Sequence, residues 1–112
     1  MSTVDKDALF ERRLPVEEYQ LPGGIGSIKI RGLNRAEAIR VEASPDTAAR
    51  DLIIFMAGVV EPKLTAAEVR QWQDAWPAGE LEDISRRIAE LSGLLKEQAK
   101  EVIKTFRDEP DA

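Results

Sequence analysis

The stretch Glu61–Leu94, EPKLTAAEVRQWQDAWPAGELEDISRRIAELSGL, constrains the fold more than any other part of the chain. Thr65-Ala66-Ala67-Glu68 has the spacing of a capping box, in which hydroxyl and carboxylate each satisfy an orphan backbone N–H. Val69, Trp72 and Trp76 then fall at i, i+3 and i+7, one face of a helix. Pro77 cannot continue the hydrogen-bond ladder, so that helix ends near Ala75. A second helix starts around Ala78–Glu80, and Leu81, Ile84, Ile88, Leu91 and Leu95 recur at spacings of three and four. Glu82, Asp83, Arg86, Arg87 and Glu90 fill its other faces. Two amphipathic helices broken at a Trp-Pro step must lay their stripes on a shared core. Ser92-Gly93 interrupts the second helix.

The upstream half supplies what those stripes cover. Met1–Ala8 is polar and reads as a flexible N-terminal tail. Leu9–Pro15 mixes the apolar anchors Leu9, Phe10 and Leu14 with charge. Val16–Leu21 alternates weakly, Pro22-Gly23-Gly24 is a turn signal, and Ile25–Arg31 alternates with Ile28 and Ile30 in one register. Two extended runs around a Gly-rich turn predict a β-hairpin. A lone hairpin is marginal in water, so its apolar face must rest on helices. Gly32 closes the strand. Asn34 and Glu37 form a second capping box, opening a short helix to about Val41 with Leu33, Ala36 and Ile39 inward. Ser44-Pro45 reads as the next start, Ser as cap and Pro at the first helical position. Thr47–Ala57 is apolar over most of its circumference, which places it centrally, with Gly58 as its stop. A buried strand over Leu52–Val60 is the rival reading, since periodicity does not separate the two over so short a run. Val59–Glu61 is extended.

Beyond Gly93, Leu95, Ala99, Val102 and Phe106 continue a narrow stripe with Ile103 beside it. This predicts a C-terminal helix over 96–107, followed by an acidic tail at 108–112. The expected fold is α+β, mostly α: an N-terminal β-hairpin on a bundle of about four to five helices, forming one domain over 9–95.

Composition excludes much chemistry. The 112 residues carry 16 Lys plus Arg against 21 Asp plus Glu, a net charge of −5. Nucleic-acid phosphates require a basic footprint, so no nucleic-acid partner is expected. Cysteine and histidine are both absent. The chain therefore lacks a thiol nucleophile, a thiolate metal site and the usual neutral-pH general base. No signal peptide is evident. The apolar run Leu52–Val60 falls well short of the roughly 20 residues of a membrane span, so a soluble cytoplasmic protein is expected.

The remaining candidates for chemistry have plainer readings. Gly24-x-Gly26 is a fragment of a dinucleotide fingerprint, but no third glycine or helix follows, and a hairpin turn explains it. Glu17 with Glu18, and Glu80 with Glu82 and Asp83, are acids on surface positions, without the spacing of a calcium loop. Glu80 and Asp83 suit the first turn of a helix. Arg12-Arg13 and Arg86-Arg87 read as solvated surface. Ser92 and Lys96 would act as a nucleophile pair only with a buried lysine, and Lys96 lies in a charged run. No catalytic residue, cofactor or metal is expected. Trp72 and Trp76 can anchor a partner helix or form local core. The Leu95–Phe106 stripe can bind a partner or pack back on the domain. Partner-binding candidates are thus Trp72, Trp76, Leu95, Val102, Ile103 and Phe106. The Leu81–Leu95 seam is also compatible with homo-oligomerisation.

The order of parts resembles a known family. A hairpin ends in Ile28-Lys29-Ile30-Arg31-Gly32-Leu33 and leads into Asn34-Arg35-Ala36-Glu37. A buried helix, Pro62-Lys63-Leu64-Thr65 with its capping helix, and a Trp-Pro break follow. The phrase Ile84-Ser85-Arg86-Arg87-Ile88-Ala89-Glu90-Leu91-Ser92-Gly93-Leu94 closes the set. Over about Val16–Leu94 this resembles the tail assembly chaperones of long-tailed bacteriophages with flexible tails. The resemblance implies a non-enzymatic factor, similar to the family's short form, that binds the tape measure protein, keeps it soluble and helps recruit tail-tube subunits. It implies residence in the cytoplasm of the infected or lysogenic host and absence from the mature virion. Two other readings stand beside it: a regulatory or antitoxin-like module that binds one protein, and a structural head–tail or tail component.

Overall fold

The computed structural model describes residues 3–94. Within them the order is β1 (Val16–Gln20), β2 (Ser27–Arg31), α1 (Arg35–Ala43), α2 (Thr47–Gly58), β3 (Val59–Glu61), α3 (Ala66–Ala75) and α4 (Ala78–Leu91). The protein is α+β, with four helices among the described residues and one three-stranded antiparallel sheet in the order β1-β2-β3. The fifth helix expected over 96–107 lies outside the described residues, as do Leu95 and the acidic tail.

The hairpin forms as the alternation demands. Val16 to Gln20 pair with Arg31 to Ser27, and the Leu21 N–H donates to the Gly26 carbonyl across the turn at 2.9 Å. Ile28 and Ile30 face the helices and are buried. The other face carries a row of alternating charge, Glu18 opposite Lys29 opposite Glu61, with Lys29 Nζ 3.3 Å from Glu61. β3 is the third strand. The two rival readings of Leu52–Val60 divide there: helix through Gly58, strand from Val59.

α2 packs on α1, α3, α4, β2 and β3, the central place expected of it. Phe55, in its C-terminal half, is fully buried. Around it gather Ile30, Val59 and Val69 with Leu81, Ile84 and Ile88 of α4. Both capping boxes form: Asn34 with Glu37, and Thr65 with Glu68. α3 ends at Ala75, directly before the Trp-Pro step.

Several expectations are corrected. α2 is capped by Asp46, whose carboxylate accepts from the Ala49 N–H at 2.8 Å. Ser44 instead ends α1, donating its N–H to the Val41 carbonyl and its hydroxyl to that of Arg40, because α1 runs on to Ala43. Ala36 and Ile39 face outward, and Glu37 and Ala38 face inward. The cause is an ion pair: Arg31 grips Glu37 through both guanidinium nitrogens at 2.9 and 2.8 Å, which turns α1 about its axis. Leu9 and Phe10 are not anchors. A 3-10 turn over Lys6–Phe10 leaves them 69% and 75% exposed, and the core closes without them. Arg87 is not simply solvated surface, nor is Glu17. The Arg87 guanidinium donates to both Glu17 oxygens at 2.6 and 2.5 Å, tying α4 to β1. Asp83 lies beyond the first turn of α4, 3.9 Å from Arg86.

Candidate interaction surface

Trp72 and Trp76 leave α3 and its end toward the core. The Trp72 ring lies 5.2 Å from Phe55, tilted by 55°, and 5.6 Å from Trp76 in a near-perpendicular edge-to-face arrangement. Such geometries suit the ring quadrupoles and add to the area the rings bury. Both indoles are half-buried. Trp72 joins α2 to α3. Trp76 has its outer side on a shallow cleft of about 300 Å³ formed with Ile25 and Pro77. Ile25, at the hairpin tip, is 66% exposed. The sequence reading treated Ile25 as strand alternation and missed its place beside Trp76. Its position next to a Gly-rich turn was the available signal.

Leu95, Val102, Ile103 and Phe106, the other partner-binding candidates, lie outside the described residues. The structure does define the end of α4 that precedes them in the chain. α4 ends in a Schellman motif: the Gly93 N–H donates to the Glu90 carbonyl and the Leu94 N–H to that of Ala89, with Gly93 at φ +80°. This is a true helix stop, and glycine suits it because a side chain is strained at that φ. The Ser92 hydroxyl accepts from the Leu33 N–H and donates to the Ile88 carbonyl, both at 2.7 Å. A Cβ on Gly32 would collide with the Leu91 carbonyl. The end of α4 is thereby seated on the chain leaving β2. Ser92 is fully engaged in that seat, so its hydroxyl proton is spent on a backbone carbonyl and not poised for nucleophilic work. Lys96, its supposed partner, lies outside the described residues.

Two larger depressions remain. One, of about 680 Å³ and open, lies between α2 and α4 with Asp51, Gln73, Glu82 and Ser85 on its wall. Burial pushes the Asp51 carboxyl up, against a weak hydrogen bond from Gln73 at 3.4 Å, and the Glu82 charge pushes the same way. The other is a pair of adjoining hollows of about 390 and 450 Å³ that share Arg31, Met56 and Ala57. Arg31 is already neutralised by Glu37, whose carboxyl is held low by that guanidinium and by the Asn34 N–H despite its burial. Among the described residues no group of three or more His, Cys, Asp or Glu is placed to hold a metal ion, and no helix is long and apolar enough to cross a membrane. No protein-family model, curated protein or solved structure matches this chain.

Proposed function

We propose that the protein is a tail assembly chaperone of a long-tailed bacteriophage, a non-enzymatic factor that binds the tape measure protein. It keeps that client soluble in the cytoplasm of the bacterial host, helps recruit tail-tube subunits, and is left out of the finished virion. The observation that carries this reading is the closure of the domain. The two phrases that bear the family resemblance, Ile28–Leu33 and Leu91–Leu94, meet through the Leu33–Ser92 hydrogen bond and the Gly32–Leu91 contact. A small closed core then ends where an amphipathic stripe begins. An apolar helical client needs a complementary stripe or groove. Leu95, Val102, Ile103 and Phe106 supply the stripe, and Trp76 with Ile25 supplies a second apolar patch at the far end of α3. Trp72, packed at a tilt against Phe55, serves mainly to hold α3 in place. The absence of histidine and cysteine fits a factor that acts by shielding surface.

Co-expression with the tape measure protein tests the reading. Val102→Asp with Phe106→Asp abolishes co-purification and leaves the helical content of the domain unchanged. Unchanged co-purification rules the stripe out, and finding the protein stoichiometrically in mature particles rules out the chaperone.

A further inference from the structure

The register of the hairpin decides which backbone groups of β1 are left over. The Gly32 N–H donates to the Pro15 carbonyl at 3.0 Å and the Leu21 N–H to that of Gly26 at 2.9 Å. Both pairs continue the ladder that sets Val16–Gln20 against Arg31–Ser27. Along an antiparallel strand, hydrogen-bonded and non-hydrogen-bonded positions alternate. Pro15, Glu17, Tyr19 and Leu21 therefore turn their backbone groups toward β2. Val16, Glu18 and Gln20 each turn an N–H and a C=O to the outer side. All three residues are exposed, and among the described residues no other backbone group pairs with theirs.

The side chains on the solvent side set the chemistry of what pairs there. Glu18 lies opposite Lys29, which lies opposite Glu61 and 3.3 Å from its carboxylate. The row holds two acids and one base, and its open end is an acid. Glu18 accepts a hydrogen bond from Gln20 Nε2 at 3.0 Å and forms no ion pair among the described residues. Glu17 is committed to Arg87. Arg12 lines the hollow beside Val16, so the uncompensated acid sits at the middle of the strand and not at its start. A cation directly opposite Glu18 on an added strand continues the alternation, whereas a second copy centred on Glu18 sets acid on acid. We propose that β1 is a docking edge for an extended segment of another protein, antiparallel to it, with a lysine or arginine opposite Glu18. Antiparallel pairing exchanges both backbone bonds with the residue facing Glu18, so ladder and charge act at one position. The residue facing Tyr19, which packs against the core, is then apolar. The edge is offered independently of the C-terminal stripe and its client.

The test is titration of the full-length protein with the peptide acetyl-Thr-Val-Lys-Thr-Val-amide, followed by amide NMR. The Val16, Glu18 and Gln20 amides shift and gain protection from exchange, while Glu17 and Tyr19, already paired with β2, keep the protection they have. Methylating the backbone nitrogen of the peptide's lysine removes its bond to the Glu18 carbonyl, keeps the charge, and abolishes the response. Glu18→Lys weakens binding by about threefold to tenfold, and the same peptide with glutamate in place of lysine then binds the variant more tightly. Glu18 is exposed, so this variant keeps the fold, which tryptophan fluorescence verifies. Unmoved amides at Val16, Glu18 and Gln20 with millimolar peptide overturn the proposal. A response that survives the methylation also overturns it, because charge then attracts the peptide without a strand forming. Protection of those three amides before any peptide is added does the same, since the edge is then already paired within the chain or with a second copy.

Discussion

Two glycines with opposite surroundings show how much a single position can carry. A methyl on Gly32 would strike the backbone of Leu91 and Ser92, which has no rotamer to change, whereas one on Gly79 would meet nothing within 4 Å. Gly32→Ala therefore destabilises by about 1–3 kcal/mol, the usual cost of overpacking a fitted contact. Gly79→Ala, in the first turn of α4, stabilises by roughly 0.4–1 kcal/mol by restricting the unfolded chain. Urea midpoints of the two variants check both signs. Glu37 makes a second residue-scale case. Its carboxyl is held below the ordinary value of 4.5, chiefly by the Arg31 guanidinium. The unfolded chain then binds the proton more readily, so the stabilisation is present in full above 4.5 and is lost as pH falls below it. Glu37→Gln flattens the acid limb of a stability–pH curve. Glu17, lowered by Arg87 in the same sense, keeps part of the slope. Asp51 has the reverse sign: burial raises it, so neutral pH disfavours the folded state there. Asp51→Asn raises the melting temperature at pH 7, and the gain shrinks in acid.

At the scale of elements, local chemistry and long-range chemistry wrote different parts of the fold. Asn34/Glu37, Thr65/Glu68 and the Trp76-Pro77 step act within one turn of chain, and the helix boundaries they signal were legible from the residues alone. The Leu81, Ile84, Ile88 stripe was legible for the same reason, and all three are buried. The orientation of α1 was not, because Arg31 on the preceding strand selects it. Nor was the cap of α2: Ser44 and Asp46 both qualify, and the choice depends on how far α1 continues. The extended run Val59–Glu61 was read, but not its pairing, because three residues carry no period and only the neighbouring strand makes them the third strand of the sheet. Within the candidate site the tryptophan face was visible in the spacing, but the pairing of Trp76 with Ile25 joins elements fifty residues apart. The seat of α4 is the element most open to test. Ser92→Ala leaves the Leu33 N–H without its partner, a loss of about 1–3 kcal/mol. Amide exchange at Leu33 accelerates more than at Val69, whose N–H bonds to the carbonyl of Thr65, the N-cap of α3.

For the molecule as a whole, α2 joins α3 to α4: Phe55 touches Trp72 on one side, and Gly58 meets Ile88 so closely that a Cβ would fall 2.7 Å from its Cδ1. Sheet, α3 and α4 thus share one core and unfold together. Tryptophan fluorescence and far-ultraviolet circular dichroism give coincident denaturation curves, and separated midpoints would show that α3 can leave independently. The charged face of the hairpin bears on how such a protein behaves among its own kind. β1 is an edge strand of the three-stranded sheet. Were two copies to join antiparallel at that rim about its midpoint, Glu18 would stand against Glu18, a like-charge contact that opposes fibril growth and sticky dimers. The molecule thereby carries its own guard against polymerising through its edge strand.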